Sequence, residues 1–346
     1  MKKLIKKLFR LWALLTLSSR KRFANADVVI WKPNRGWRYW FSDTAVNDFA
    51  WEKALVEMDI PYTVFKGEDI GRLKNCTIIM SYDRGYLNRQ KFANYSKNLC
   101  FIIEQLKEQG NKVIPELNEA LFWENKTHMS NEFRRLNIST PQTQSFHTIE
   151  EIDLEALEYP CLLKEVHSAS AKGVHKVNNK EELLSLLNDD YLKRNDAILI
   201  QELLNMRRDL RVILTGNEIV HHYWRINLAD EWKPTSTGHG SKVDFVSFPE
   251  NWRAFILQEF RKLKMVTGAF DIAWQNDDLS TKPLILEVSP NYQLNPVVSK
   301  DKYLTHYGEY KKSLELNKNS YDYQYILQTF RLYPKIAEFY FGDFSG

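Results

Sequence analysis

Short apolar runs alternate with amphipathic stretches over the first third of the chain. Val28–Trp31, Tyr62–Phe65, Thr77–Ser81 and Lys112–Pro115 have strand length and β-rich composition. Between them, a stretch capped by Ser42 or Asp43 runs helically to Met58, and Ser96–Gln109 is helical with Gly110 as its natural stop. Strands alternating with helices predict a small parallel α/β domain. The rhythm then changes. Glu116–Thr140 reads as helices. Tyr159–Val177 reads as strand, small-residue loop, strand, followed by a helix at Lys180–Leu187 and a strand at Ala197–Leu204. Arg207–Asn227 reads as two antiparallel strands turning at Gly216-Asn217, which is hairpin chemistry. Gly268–Trp274 and Pro283–Asn291 look like paired strands. Pro249–Thr267 is a helix whose stripe Trp252, Phe255, Ile256, Phe260 and Leu263 points to a core.

Candidate chemistry concentrates in this second part. Lys164 ends the apolar run Cys161–Leu163, and two readings are open: its ammonium meets an anion, or it snorkels to water. The following loop, Ser168 to Gly173, has little side-chain bulk, so its backbone N–H groups can approach an anionic ligand closely. Gln201, Glu202 and Leu204 lie at the end of the next strand, and Asp209, Arg211 and Arg225 sit on the hairpin. Asp271 and Glu287, on neighbouring strands, suit Mg²⁺, which prefers oxygen ligands and bridges substrate phosphates.

The order of these features over roughly residues 110–300 resembles the ATP-grasp superfamily, in the branch of glutathione synthetase, ribosomal-protein glutamate ligase and D-alanine–D-alanine ligase. The resemblance implies a small parallel α/β N-terminal domain and two α+β lobes clasping ATP. It implies that Lys126, otherwise a solvated helical lysine, and Lys164 hold phosphates, together with Ser170 and Gly173 of the loop. It places adenine at Gln201, Glu202 and Leu204, and a ribose-binding acid at Asp209. It puts Arg211 and Arg225 at the reacting phosphate, and Mg²⁺ on Asp271 and Glu287. The implied reaction joins a small-molecule carboxylate to an amine, or less often a thiol, through an acylphosphate. Two departures keep open a nucleotide-binding or scaffold protein without ligase chemistry. Ser289 stands where the family writes Asn, with Asn291 or Asn295 as substitutes, and the loop is poor in glycine. Asp83 and Arg84 after the third strand, and His239 in the small-residue stretch Thr235–Ser241, are candidate substrate contacts.

Composition sharpens the picture at one end. The chain has 346 residues, 44% hydrophobic and 27% charged, enough for two or three lobes. Residues 1–22 hold eight Lys or Arg and no acid, so removing those charges from the net +4 leaves −4 on the rest. A slightly acidic body argues against a nucleic-acid surface. Within that leader, Ile5, Leu8, Phe9, Trp12 and Leu15 recur at helical spacing. Three readings are open: a basic helix on a membrane surface, a helix packed on the body, or a signal peptide. Three cysteines without paired spacing read as buried free thiols, which suits a cytoplasmic protein, at the inner membrane face if the leader binds lipid. A basic end near a membrane also hints at cell-envelope or glycan-linked substrates. The chain divides into a basic helix (1–22), an N-terminal α/β domain (23–118), an ATP-grasp domain (119–300) and an aromatic helical tail (301–346).

Overall fold

A computed structural model describes residues 2–19, 21, 23, 25–32, 36–82, 95–168, 173–228, 231–297 and 306–342. In chain order the main elements are α1 (Lys2–Leu17), β1 (Val28–Trp31), α2 (Asp43–Glu57), β2 (Tyr62–Phe65), β3 (Thr77–Met80), α3 (Tyr95–Glu108), β4 (Lys112–Ile114), α4 (Leu117–Leu121) and α5 (Lys126–Arg135). Next come β5 (Thr143–Phe146), β6 (Cys161–Lys164), β7 (Val174–Val177), α6 (Lys180–Leu186), α7 (Asp189–Arg194), β8 (Ile198–Glu202), β9 (Arg208–Thr215) and β10 (Glu218–Ile226). Finally come β11 (Lys242–Asp244), α8 (Arg253–Lys262), β12 (Thr267–Ala273), β13 (Leu284–Ser289), α9 (Tyr307–Lys312) and α10 (Tyr321–Phe341).

Three sheets result. The first, β2-β1-β3-β4, is parallel throughout. Parallel sheets are covered on both faces, which is why β1 reads as an unbroken apolar run. One face packs on α2 and α10 through Ile30, Leu55, Ile336 and Phe341, the other on α3 through Val29, Ile78, Leu99 and Ile103. The second sheet, β5-β8-β6-β7, is antiparallel and backed by α6 and α7. The third, β11-β10-β9-β12-β13, is also antiparallel, and α5 and α8 cover one face through Phe133, Ile256 and Phe260. The mixed α/β architecture is the one expected.

The β9–β10 hairpin turns at Gly216, whose φ of +55° favours glycine. Its ladder then slips by one residue. Leu214 faces Ile219 but Ile213 faces His221, leaving Val220 unopposed. A second slip puts Asp271 opposite Glu287 and Ile272 opposite Ile285, leaving Leu286 unopposed.

Some elements differ from expectation. The helix expected over Pro249–Thr267 is a 3-10 turn at Glu250–Trp252 followed by the shorter α8, because Lys264, at φ +53°, ends it before β12. β5 and α7 were not expected; both are short and polar, with little apolar periodicity to reveal them. The C-terminal helix α10 is more than a cover, since its Tyr325, Tyr333 and Tyr340 face the main cavity.

Candidate active site

The second and third sheets are joined directly by the chain between β8 and β9, and a cavity of 840 Å³ opens between them. That volume suits a ligand of nucleotide size or larger. Gln201, Glu202, Leu203, Leu204 and Met206 of the connection line it. Gln201 is buried and its Nε2 donates to Thr143 Oγ1 at 2.8 Å. Glu202 is exposed and takes the Gln142 N–H at 2.8 Å.

The second sheet supplies cations. Lys164 ends β6, and its ammonium has no hydrogen-bond or ion-pair partner among the described residues. Burial drives its pKa down to about 8, against the pull of Glu287. Lys126 is the first residue of α5, placed by the Asn125 cap whose Oδ1 accepts the His128 N–H. It is 6% exposed, so it is not a solvated helical lysine. Its Nζ donates to the Ser168 carbonyl at 2.6 Å and to Ser168 Oγ at 3.0 Å, and burial lowers its pKa. Gly173 closes the loop from below: its carbonyl accepts the Glu165 N–H at 2.7 Å, and an added Cβ would lie 2.4 Å from Ser168 Oγ. Ser170, Asp83 and Arg84 lie outside the described residues, as does the side chain of His239.

The third sheet supplies a row of polar and charged side chains. Register sets Tyr223, Arg211, Asp271 and Glu287 side by side across β10, β9, β12 and β13, with Asp209 opposite Arg225 one step along the same face. Arg211 grips Asp271 with two parallel bonds, Nε to Oδ1 at 2.7 Å and a terminal nitrogen to Oδ2 at 2.9 Å. Arg225 reaches Asp271 Oδ2 at 2.9 Å and pairs with Asp209 through Nε at 2.9 Å. Burial opposes the Asp271 anion, yet the two guanidiniums outweigh it and hold its pKa near about 2. Asp209 is 1% exposed with both oxygens on Arg225, which differs from an acid open to ribose. The reason is the pairing register, which puts Arg225 directly opposite it.

These oxygens bear on the metal. A carboxylate offers about four lone-pair positions, and Asp271 has three taken by arginine nitrogens. Among the described residues, Glu287 accepts only the Ser289 hydroxyl, at 3.4 Å. Of the two, Glu287 is the freer carboxylate, so a Mg²⁺ here would be held mainly by Glu287 with Asp271 beside it, the small protein share typical of that ion. Asn295 is spent elsewhere, donating to Tyr223 Oη at 2.8 Å and accepting from Tyr321 Oη at 3.1 Å, whereas Asn291 lines the cavity.

The far end of the cavity has walls that the sequence did not reveal. They come from Trp51 of α2, Glu119 of α4, Trp123, Tyr292 and the inner face of α10. Burial raises the pKa of Glu119, although Tyr340 Oη donates to it at 2.6 Å.

Two antiparallel sheets flanking a nucleotide-sized cleft, with lysines on one side and a charged row on the other, have the arrangement of an ATP-grasp domain. The family model for the RimK-like ATP-grasp domain matches residues 125–303, just over half of the chain, and the chain belongs to that family. A formate-dependent phosphoribosylglycinamide formyltransferase from Prochlorococcus marinus (strain MIT 9515) is 29% identical over 148 residues; a second, from strain CCMP1986, is 24% identical over 147. Each match spans 38% of this chain and 38% of the relative, so the chain covers well under half the length of these curated relatives. Among solved structures, D-alanine–D-alanine ligase from Bacillus anthracis is similar in fold, with a TM-score of 0.54 at 12% identity over 89% of this chain and 96% of that one. A D-cycloserine synthetase scores 0.53 at 12% identity over 76% of this chain and 90% of that one.

Proposed function

We propose that the protein joins a small-molecule carboxylate to an amine at the expense of ATP, in the cytoplasm, with a cell-envelope or glycan-linked compound as the favoured substrate class. The observation that carries this reading is the Arg225–Asp271–Arg211 row facing Lys164 and Lys126 across one cavity. Adenine would stack in the pocket of Gln201 to Leu204, and Glu202, exposed at its edge, is the acid able to reach ribose hydroxyls. Lys126 and Lys164 would neutralise phosphate oxygens. Asp209, occupied by Arg225, is a positioning residue: it holds the guanidinium flat against the sheet. The substrate carboxylate oxygen would attack the γ-phosphorus while the bond to ADP breaks. Arg211 and Arg225 stabilise the oxygens that gain charge, donors already in place in a site largely shielded from water. An amine would then attack the acyl carbon, phosphate leave, and the amine proton pass to solvent. Glu287, with Asp271 beside it, would hold Mg²⁺, which would supply charge neutralisation for the phosphates.

A binding-only reading is favoured by two observations, Ser289 in place of an amide and Asp271 already gripped by two arginines. Calorimetry with ATP and Mg²⁺, followed by a screen of carboxylate and amine pairs for ADP release, separates the readings. Absence of heat at millimolar nucleotide rejects both. Tight binding without turnover for any pair supports the second.

A further inference from the structure

Helix α1 docks on the body by one face only. Ala13 and Leu14 are 0% exposed, packed among Tyr323, Ile326 and Phe330 of α10 and Phe49 of α2. Arg10 bridges Asp43 and Asp322, the latter at 3.1 Å, and Lys6 Nζ donates to the carbonyls of Lys311 and Ser313 at 3.3 and 3.1 Å. The opposite face is the apolar one. Leu4, Ile5, Leu8, Trp12 and Leu15 are 59, 42, 53, 47 and 44% exposed. At 3.6 residues per turn these positions form one stripe. Isolated exposed apolar residues are ordinary, but a contiguous stripe marks an interaction surface. Exposed Lys7 flanks it on one side, Lys3 is exposed in the first turn, α1 contains no acid, and Trp37, 64% exposed, has its ring centroid 5.7 Å from Lys7 Nζ.

We propose that this face seats the protein on a bilayer bearing anionic lipid, with α1 lying in the interface plane. The pattern is an apolar stripe rimmed by lysine, which buries in acyl chains while its cations meet lipid phosphates. A second copy of the chain would set two basic rims against each other, so charge favours an anionic surface over a dimer. Among the described residues no helix is long and apolar enough to cross a membrane. The seat is rigid because Arg10 and Lys6 hold the helix. It is also close to the chemistry, since Asp43 both takes Arg10 and lines the cavity.

The test uses the full-length chain and sedimentable phosphatidylcholine vesicles with or without phosphatidylglycerol. Wild type should pellet with the anionic vesicles at low salt and be released at molar salt. The double variant Leu4→Ser/Leu8→Ser, at the two most exposed positions of the stripe, should lose about tenfold in partitioning while keeping its melting temperature. Lys3→Glu/Lys7→Glu should lose at least about tenfold as well. Wild type remaining in solution with anionic vesicles overturns the proposal. So does a Leu4→Ser/Leu8→Ser variant that pellets as wild type does. A dimer that the same variant dissociates, without vesicle binding, assigns the face to a second copy and also overturns it.

Discussion

Replacing Lys164 by Met keeps the length of the side chain and removes its charge, and the structure predicts opposite effects on stability and binding. The ammonium has no ion-pair partner among the described residues, and its pKa falls from 10.5 to about 8 because burial penalises the charged form. At 1.36 kcal/mol per pKa unit, holding that charge in the nucleotide-free protein costs on the order of 2–3 kcal/mol near neutral pH, allowing for water at the cleft. Lys164→Met should therefore raise the thermal midpoint of the free protein, by roughly 4 °C for a chain of this size. The sign follows from linkage. The folded pKa lies below the unfolded one, so the cost is complete below pH about 8 and fades as pH rises toward 10.5. The gap between variant and wild type should close over that window. Nucleotide should reverse the ranking, because the lost ammonium no longer meets a phosphate. Such a charge-assisted contact is worth about 2 kcal/mol, roughly thirtyfold in affinity. Differential scanning fluorimetry from pH 7 to 10, with and without ATP and Mg²⁺, reads both effects. A variant that is no more stable when free, and gains as much from ATP as wild type, refutes the role given to Lys164.

Glu287→Gln keeps size and removes the open carboxylate of the metal pair, so substrate-dependent ADP formation should fall at least about a hundredfold, roughly 2.7 kcal/mol, with nucleotide affinity changed far less. Steady-state turnover beside calorimetry checks this, and equal turnover removes Glu287 from the metal site. Asp209→Asn leaves the Arg225 guanidinium buried with Asp271 as its remaining partner, and urea unfolding should show a loss of about 3 kcal/mol. Gly173→Ala drives a methyl into Ser168, the partner of Lys126; ATP affinity should drop by about 1 kcal/mol while the melting temperature moves little. An unchanged dissociation constant would show that the loop adjusts without displacing Ser168.

How much of this was legible in the sequence differs by element. The strands of the first sheet were, because apolar runs such as Val28–Trp31 are bounded by turn residues and buried on both sides. So were the Gly216 hairpin and the carboxylates Asp271 and Glu287, since each lies inside a well-marked strand. The inner wall of the cavity was not. Tyr325, Tyr333 and Tyr340 approach Trp51 and Glu119 from the other end of the chain, and helical periodicity says only that they share a face. The occupation of Asp209 was equally hidden, because a candidate binding acid and a clamp for an arginine look alike until the opposite strand is in register. The leader's apolar stripe was visible, but which way it pointed was not. A stripe normally faces the core; here Ala13, Leu14 and two salt-bridged cations fill that side.

The unopposed Val220 carries a consequence for how this hairpin tolerates change. Side chains alternate sides along a strand, so the parity of residue count between the turn and the site decides which way Tyr223 and Arg225 point. Val220 absorbs that parity as a bulge: were it paired instead, the ladder from Gly216 would set Arg211 against His222, and Arg225 would turn toward the hydrophobic layer under α8. Leu286 has the same standing for Glu287. Substitutions at these two positions are matters of packing, graded and repairable. A single residue inserted elsewhere between the turn and the site is a matter of parity, and parity has no intermediate value. Homologues one residue shorter in either hairpin should therefore have lost the bulge itself and kept the pairing beyond it.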